Sequence, residues 1–167
     1  MKEAITKEIR IEDCDVDSFS AFLFYIYCGT LPECNLGTVE EVLILANKYD
    51  VPELLALCLD WFRKTLLADS PEDLEKDVWS LMELYAKIRL AAIKETCESV
   101  MLEKLDGSNV VDLIILSHLF ECYSLKTKCL EFLFNKRPSI YDSGEKLVAH
   151  PRLMLQILTY TLRTDAH

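Results

Sequence analysis

The stretch Val42-Leu43-Ile44-Leu45-Ala46-Asn47-Lys48-Tyr49-Asp50-Val51-Pro52-Glu53-Leu54-Leu55, followed by Cys58, decides how the chain is read. Val42, Leu43, Leu45, Ala46 and Tyr49 recur at helical spacing and make one apolar face. Pro52 suits the first turn of a second helix, because the N–H it lacks is one that a helix start leaves unbonded anyway. That helix carries Leu54, Cys58, Phe62 and Leu66 at the same spacing. The unit is helix, short turn, helix, and it recurs. With Cys58 set over Cys97 and Cys129, the preceding segments superpose without gaps. Val39, Val78 and Val110 begin the three units, and Leu45, Leu84 and Leu116 coincide. Val51, Leu90 and Cys122 mark the bends; Leu54, Ile93 and Leu125 follow, then Phe62, Met101 and Leu133. A hairpin of about 28 residues cannot cover its own apolar stripe, so stacked neighbours must cover it. The aligned cysteines then read as small residues at helix crossings, where they let backbones approach.

Toward the C-terminus, Ser70-Pro71-Glu72-Asp73 signals a helix start with acids in the first turn. A helix pair follows over approximately Leu74–Ile88 and Leu90–Leu105, stopped by Asp106-Gly107. Ser108 caps a third pair, running through Cys122 and then Ser124–Phe134. Arg137-Pro138-Ser139 breaks the pattern, and a last helix runs from His150-Pro151 to about Arg163. Toward the N-terminus, Thr38 with Glu41 three residues on has the form of a capping box. Asp17-Ser18 opens an earlier helix with Phe19, Phe22, Leu23, Ile26 and Tyr27 at helical spacing, ended by Gly29. Before it, Ile5 to Glu12 alternates apolar and polar residues, the period of a strand with Ile5, Ile9 and Ile11 on one face. A lone strand cannot bond its own backbone, and the rest of the chain offers no obvious partner.

Composition narrows the function. The 167 residues are 51% hydrophobic and 28% charged with 4 Gly and 5 Pro, too apolar for disorder and too poor in turn residues for an all-β sandwich. Such a chain buries roughly two thirds of its unfolded surface. Against 18 basic residues stand 28 acidic ones, a net −10 that repels phosphate backbones and anionic lipid, so no nucleic acid and no membrane are expected as partners. No apolar run approaches the roughly 20 residues of a membrane span, and the opening Met1–Arg10 does not have the form of a signal peptide. An intracellular setting, cytoplasm and/or nucleus, is expected. The 7 cysteines form no C-x-x-C and no close Cys/His cluster, and read as small buried thiols in a reducing compartment. His118 and Cys122 share a helical face but supply only two metal ligands.

Catalytic signals are few. Nucleophile-elbow, P-loop and HExxH patterns are missing from the sequence. Asp13, Asp15 and Asp17 alternate like metal ligands, but without the glycine and distal glutamate of an EF-hand loop they read as a strand-to-helix turn. His118 reads as a partly buried, satisfied histidine rather than a base, and Trp61 and Trp79 as packing residues. Glu72, Asp73, Glu75 and Asp77 read as a solvated helix start. The expectation is a non-enzymatic protein with no catalytic, cofactor-binding or metal residues.

Two motifs carry a family resemblance. The run Ile9 to Phe19, followed by Phe22 to Leu31 with Tyr25-Ile26-Tyr27-Cys28-Gly29 in place of a "YIYTG" signature, resembles the second half of a BTB/POZ domain. Val42 to Leu55 with Cys58 is similar to that family's closing helix pair, "LLxxAxKYxVxxLxxxC". The later hairpins resemble the BACK-type helices that follow BTB domains, and Ser143 to Leu153 resembles the end of speckle-type MATH–BTB proteins, although this chain carries one more hairpin than they would have. The resemblance implies a mainly α chain: the C-terminal half of an α/β BTB domain over residues 1–69, with one strand and five helices, then stacked antiparallel BACK-like hairpins over residues 70–167. The earlier strands and the dimerising helix of a complete BTB domain have no counterpart in the sequence. A BTB partner reached through that half is therefore an expectation, as is an exposed face of Ile5, Ile9, Ile11, Phe19 and Phe22.

Many BTB–BACK proteins are substrate-specific adaptors that dock cullin-3 and bring a client protein to a RING ubiquitin ligase, and the resemblance implies that role here. The family's docking signal, hydrophobic-x-Glu, matches Met1 and Glu3, and the cullin helix would lie along the tip that contains Tyr27. The alternative is a BTB-type oligomerisation or scaffold module with no ubiquitin role. The client is not legible.

Overall fold

The structure is a computed structural model that describes residues 11, 14–68, 70–136 and 147–164. The expected strand falls outside the described residues except for Ile11, which is in neither helix nor strand. Eight helices of ten residues or more are described: α1 (Val16–Cys28), α2 (Leu36–Lys48), α3 (Pro52–Ala68), α4 (Pro71–Ile88), α5 (Ala91–Glu103), α6 (Val110–Leu119), α7 (Tyr123–Lys136) and α8 (Pro151–Thr164). No strand occurs among the described residues. The chain divides into two compact units, residues 1–62 and 63–167. The five helices expected over residues 1–69 reduce to three, because α1, α2, α3 and their short loops use up the described chain there.

In the first unit, Asp15 rather than Asp17 opens α1. Its backbone is extended, and its Oδ1 accepts the Ser18 N–H at 2.6 Å. That bond holds the Asp15 carboxyl below the usual carboxylate range. The helix ends at Gly29, whose φ of +73° is the left-handed conformation glycine adopts without strain, and whose N–H donates to the Tyr25 carbonyl at 2.7 Å. Asn35, not Thr38, caps α2: its Oδ1 accepts from the Thr38 N–H at 2.9 Å and from the Thr38 hydroxyl at 3.2 Å. Glu41 therefore makes no capping box. Its Oε2 instead accepts the Asp15 N–H at 3.0 Å and ties α2 to the start of α1.

The helices α1 and α2 pack together, burying Ser18, Ala21 and Phe22 of α1 and Val39, Val42, Leu43, Leu45 and Ala46 of α2. Phe22 was expected at an exposed face and is buried. Its ring lies 6.2 Å from Phe19 and 5.5 Å from Tyr49, and that aromatic contact with the end of α2 covers it. Phe19 and Ile11 are half-buried; Ile5 and Ile9 lie outside the described residues.

The threefold correspondence extends to the backbone. The residues with positive φ other than glycine, among those described, are Asp50 (53°), Arg89 (56°) and Glu121 (55°), each immediately before an aligned bend residue. The Tyr49 and Phe120 N–H groups donate to the Leu45 and Leu116 carbonyls, and those of Val51 and Cys122 reach back to Ala46 and Ser117. One left-handed residue reverses the chain while the last carbonyls of the first helix stay bonded. The aligned side chains are buried too: Cys58, Cys97 and Cys129 are fully so, as are Leu54, Ile93 and Leu125 to within a percent.

In the second unit α4 packs on α5, α6 on α7, and α7 on both α5 and α8. Ser70 caps α4 by accepting the Asp73 N–H at 3.3 Å, while its hydroxyl donates to Asp73 Oδ2 at 2.6 Å. Ser108 does not cap α6. Asp106 organises that entry, its Oδ1 accepting from the Ser108 N–H and hydroxyl and from the Asn109 N–H at 2.8, 2.6 and 3.1 Å. Arg63, at the end of α3, donates to Ser99 Oγ at 2.9 Å and pairs with Glu103 on α5.

Candidate functional site

Helix α1 is apolar almost all the way round, so packing one face against α2 leaves a second apolar face without cover. Leu23, Phe24, Ile26 and Tyr27 are exposed, Ile26 at 51% and Tyr27 at 85%. A shallow cavity of about 410 Å³ lies beside them, walled by Ala21 and Phe24 of α1 and by Pro32 and Cys34 of the following loop. Asp17, Glu33, Asn35 and Thr38 supply its polar edge. Aromatic and aliphatic side chains gathered at a helix end beside a polar-edged hollow are the composition of a protein-interaction surface.

Of the residues singled out in the sequence, Tyr27 belongs to this face, while Met1 and Glu3 lie outside the described residues. Leu23, Ile26 and Tyr27 shared a helical spacing with Phe19 and Phe22, but the structure separates them: Phe22 turns to α2 and the other three do not. Phe24 was missed. The signal available for it was the surplus of apolar residues in α1 over what one stripe needs.

The cysteines divide into two groups. Cys58, Cys97, Cys122 and Cys129 are buried, and burial pushes their thiols up to about 12. Such thiols stay neutral and unreactive. Cys28 is exposed and Cys14 and Cys34 are half-buried, which corrects the expectation that all the cysteines are core thiols. These three sit at the two ends of α1 and in the loop after it.

The described residues contain no group of three or more His, Cys, Asp or Glu side chains able to hold a metal ion. Asp15 is committed to its helix cap, and Asp13 lies outside the described residues. His118 Nδ1 is 3.1 Å from Lys126 Nζ, an ammonium neighbour that opposes binding of a cation. Cys122 lies beyond the end of α6 and is buried. Trp61 sets its edge against Phe62 at 5.8 Å, and Trp79 meets Phe120 at 5.3 Å, both packing contacts. No helix of the described residues is long and apolar enough to cross a membrane.

Comparison with known proteins finds a domain match in the first part of the chain. Residues 1–66 match the BTB/POZ domain. A BTB/POZ domain-containing protein of Arabidopsis thaliana is 31% identical over 120 residues, 72% of this chain and 42% of that protein. BTB/POZ domain-containing protein 3 of Homo sapiens is 30% identical, the match covering 50% of this chain and 18% of the relative. Kelch-like protein 22 of Homo sapiens is 29% identical over 58% of this chain and 14% of its own length. The chain thus spans less than half the length of each of these curated relatives. No solved structure gives a significant match.

Proposed function

We propose that this chain, with a BTB/POZ domain at residues 1–66, is a substrate-specific adaptor that links cullin-3 to a client protein in a RING ubiquitin ligase. BTB proteins are in general non-enzymatic interaction modules, and the Kelch-like relative supports the same broad class. The exposed apolar end of α1 is the observation that carries the proposal. It offers a flat aromatic and aliphatic surface with a hollow alongside, the shape on which an amphipathic helix lays its apolar face. Tyr27 and Phe24 are the anchors of that contact, and Met1 and Glu3 complete it as the hydrophobic-x-Glu signal. Residues 1–69 form the cullin-facing BTB portion, and residues 70–167 a BACK-like helical extension.

An adaptor of this kind requires no reacting group. It raises the local concentration of a client beside a ligase, so its contribution is affinity and geometry. The test is calorimetric titration with the amino-terminal region of cullin-3. Phe24→Asp should weaken binding about thirtyfold, the size of one interface hot spot. Tyr27→Ala, and Met1→Ala with Glu3→Ala, should each weaken it measurably. Binding unchanged by Phe24→Asp would overturn the assignment of this face. A chain that ignores cullin-3 and self-associates through the same face would be the oligomerisation or scaffold module instead.

A further inference from the structure

The second unit holds a cavity that the adaptor reading does not use. It lies between the first turns of α4 and the start of α6, with a volume of about 240 Å³. Leu74 and Val78 from α4 and Leu113 and Leu116 from α6 line it, and the carboxylates of Glu75 and Asp112 stand on opposite sides. A neighbouring cavity of about 390 Å³ shares Leu74 and Asn109 with it and continues past Glu103, Lys104 and Asp106. The two are separate cavities that meet at Leu74 and Asn109. Arg63 pairs with Glu103, and Lys104 adds one positive group, but Asp106 is held ionised by the hydrogen bonds it accepts from Ser108 and Asn109. Its carboxyl lies below the usual range, because the Ser108 hydroxyl and then two backbone N–H groups stabilise the charged form.

The volume decides between occupants. Small-molecule and cofactor sites run to about 300–1,000 Å³. The apolar cavity, a trough of about 240 Å³, is smaller than that and suits one bulky side chain. Acids on both lips then favour a segment that is basic on either side of that side chain. We infer that this trough docks an extended segment of a partner protein that presents a single Leu, Met or Phe flanked by Arg or Lys. The site stands on α4, the start of α6 and the turn before it, with the end of α5 adjoining, independent of the cullin-3 reading.

Fluorescence anisotropy on the full chain tests it with three labelled peptides in a Gly/Ser background: Leu-centred with flanking Arg, Ala-centred with flanking Arg, and Leu-centred with flanking Glu. The first should bind saturably, and more weakly as salt rises. The Ala-centred peptide should bind about tenfold more weakly, the loss of one buried apolar side chain. The Glu-flanked peptide should not bind. Glu75→Lys with Asp112→Lys, the first exposed and the second half-buried, should weaken the first peptide about tenfold while leaving cullin-3 binding unchanged. Methyl resonances of Leu74, Val78 and Leu113 should move with the added peptide. The inference is overturned if charge reversal leaves affinity unchanged, if the Ala- and Leu-centred peptides bind equally, or if the first peptide does not bind. Methyl shifts that follow protein concentration without peptide would assign the trough to a second copy of this chain and overturn it as well.

Discussion

His118 accepts a hydrogen bond from an ammonium group, and this fixes its proton inventory. Lys126 can only donate, so the contact favours a neutral ring with its lone pair on Nδ1. Burial pushes the His118 pKa below its ordinary 6.5, and Lys126 on α7, with His150 and Arg152 at the start of α8, pushes the same way. Lys126 also donates to Gln156 on α8, so the neutral ring sits beside the link between α7 and α8. The unfolded chain binds a proton at this position below about pH 6.5 while the folded chain resists it until a lower pH. Stability from His118 is therefore complete above pH 6.5 and lost as pH falls from there toward the folded value. Urea midpoints measured from pH 7.5 to 5.5 should fall more steeply for the natural chain than for His118→Gln. Gly29 gives a second prediction at this scale. A Cβ there would meet nothing within 4 Å, so Gly29→Ala should lower stability by about 1 kcal/mol through the positive φ alone, read by the same urea titration.

At the level of helices, the aligned cysteines test the repeat. Cys97 is fully buried and equivalent to Cys58 and Cys129. If small size is what the position requires, Cys97→Leu should destabilise by about 1–3 kcal/mol through overpacking, and Cys97→Ala by less, measured by chemical denaturation. Asp106→Ala removes the acceptor of three hydrogen bonds at the entry to α6 and should cost about 1 kcal/mol in the same assay. The hairpins were legible because Leu, Val and Cys recur at constant offsets, and that spacing alone places a stripe on a helix. Their caps were not. Asp15 and Asp17, and Asn35 and Thr38, each crowd two capping side chains at one start, and only the backbone dihedrals select which of them works, while at α6 the N-cap position falls to Asn109 with no side-chain cap bond. The active face of α1 was half legible: its period announced a helix, but a segment apolar on two sides does not reveal which side meets α2.

For the molecule as a whole, exposure sorts the thiols. Titrated with a maleimide under native conditions, Cys28 should react first, whereas Cys58, Cys97, Cys122 and Cys129 should react only on unfolding, as mass spectrometry of the labelled peptides would show. Among the described residues no charged side chain is buried, so their charges lie at or near the surface, consistent with a protein partner. What connects core and surface is the set of bends. At Asp50, Arg89 and Glu121 the chain takes the same left-handed φ, although the residues there are an acid, a base and an acid. The corner is made by main-chain torsion and main-chain bonding, so its geometry is indifferent to the sign of the charge it displays. Reversing the charge at one of these corners is therefore expected to alter the field displayed there while the hairpin underneath keeps its shape.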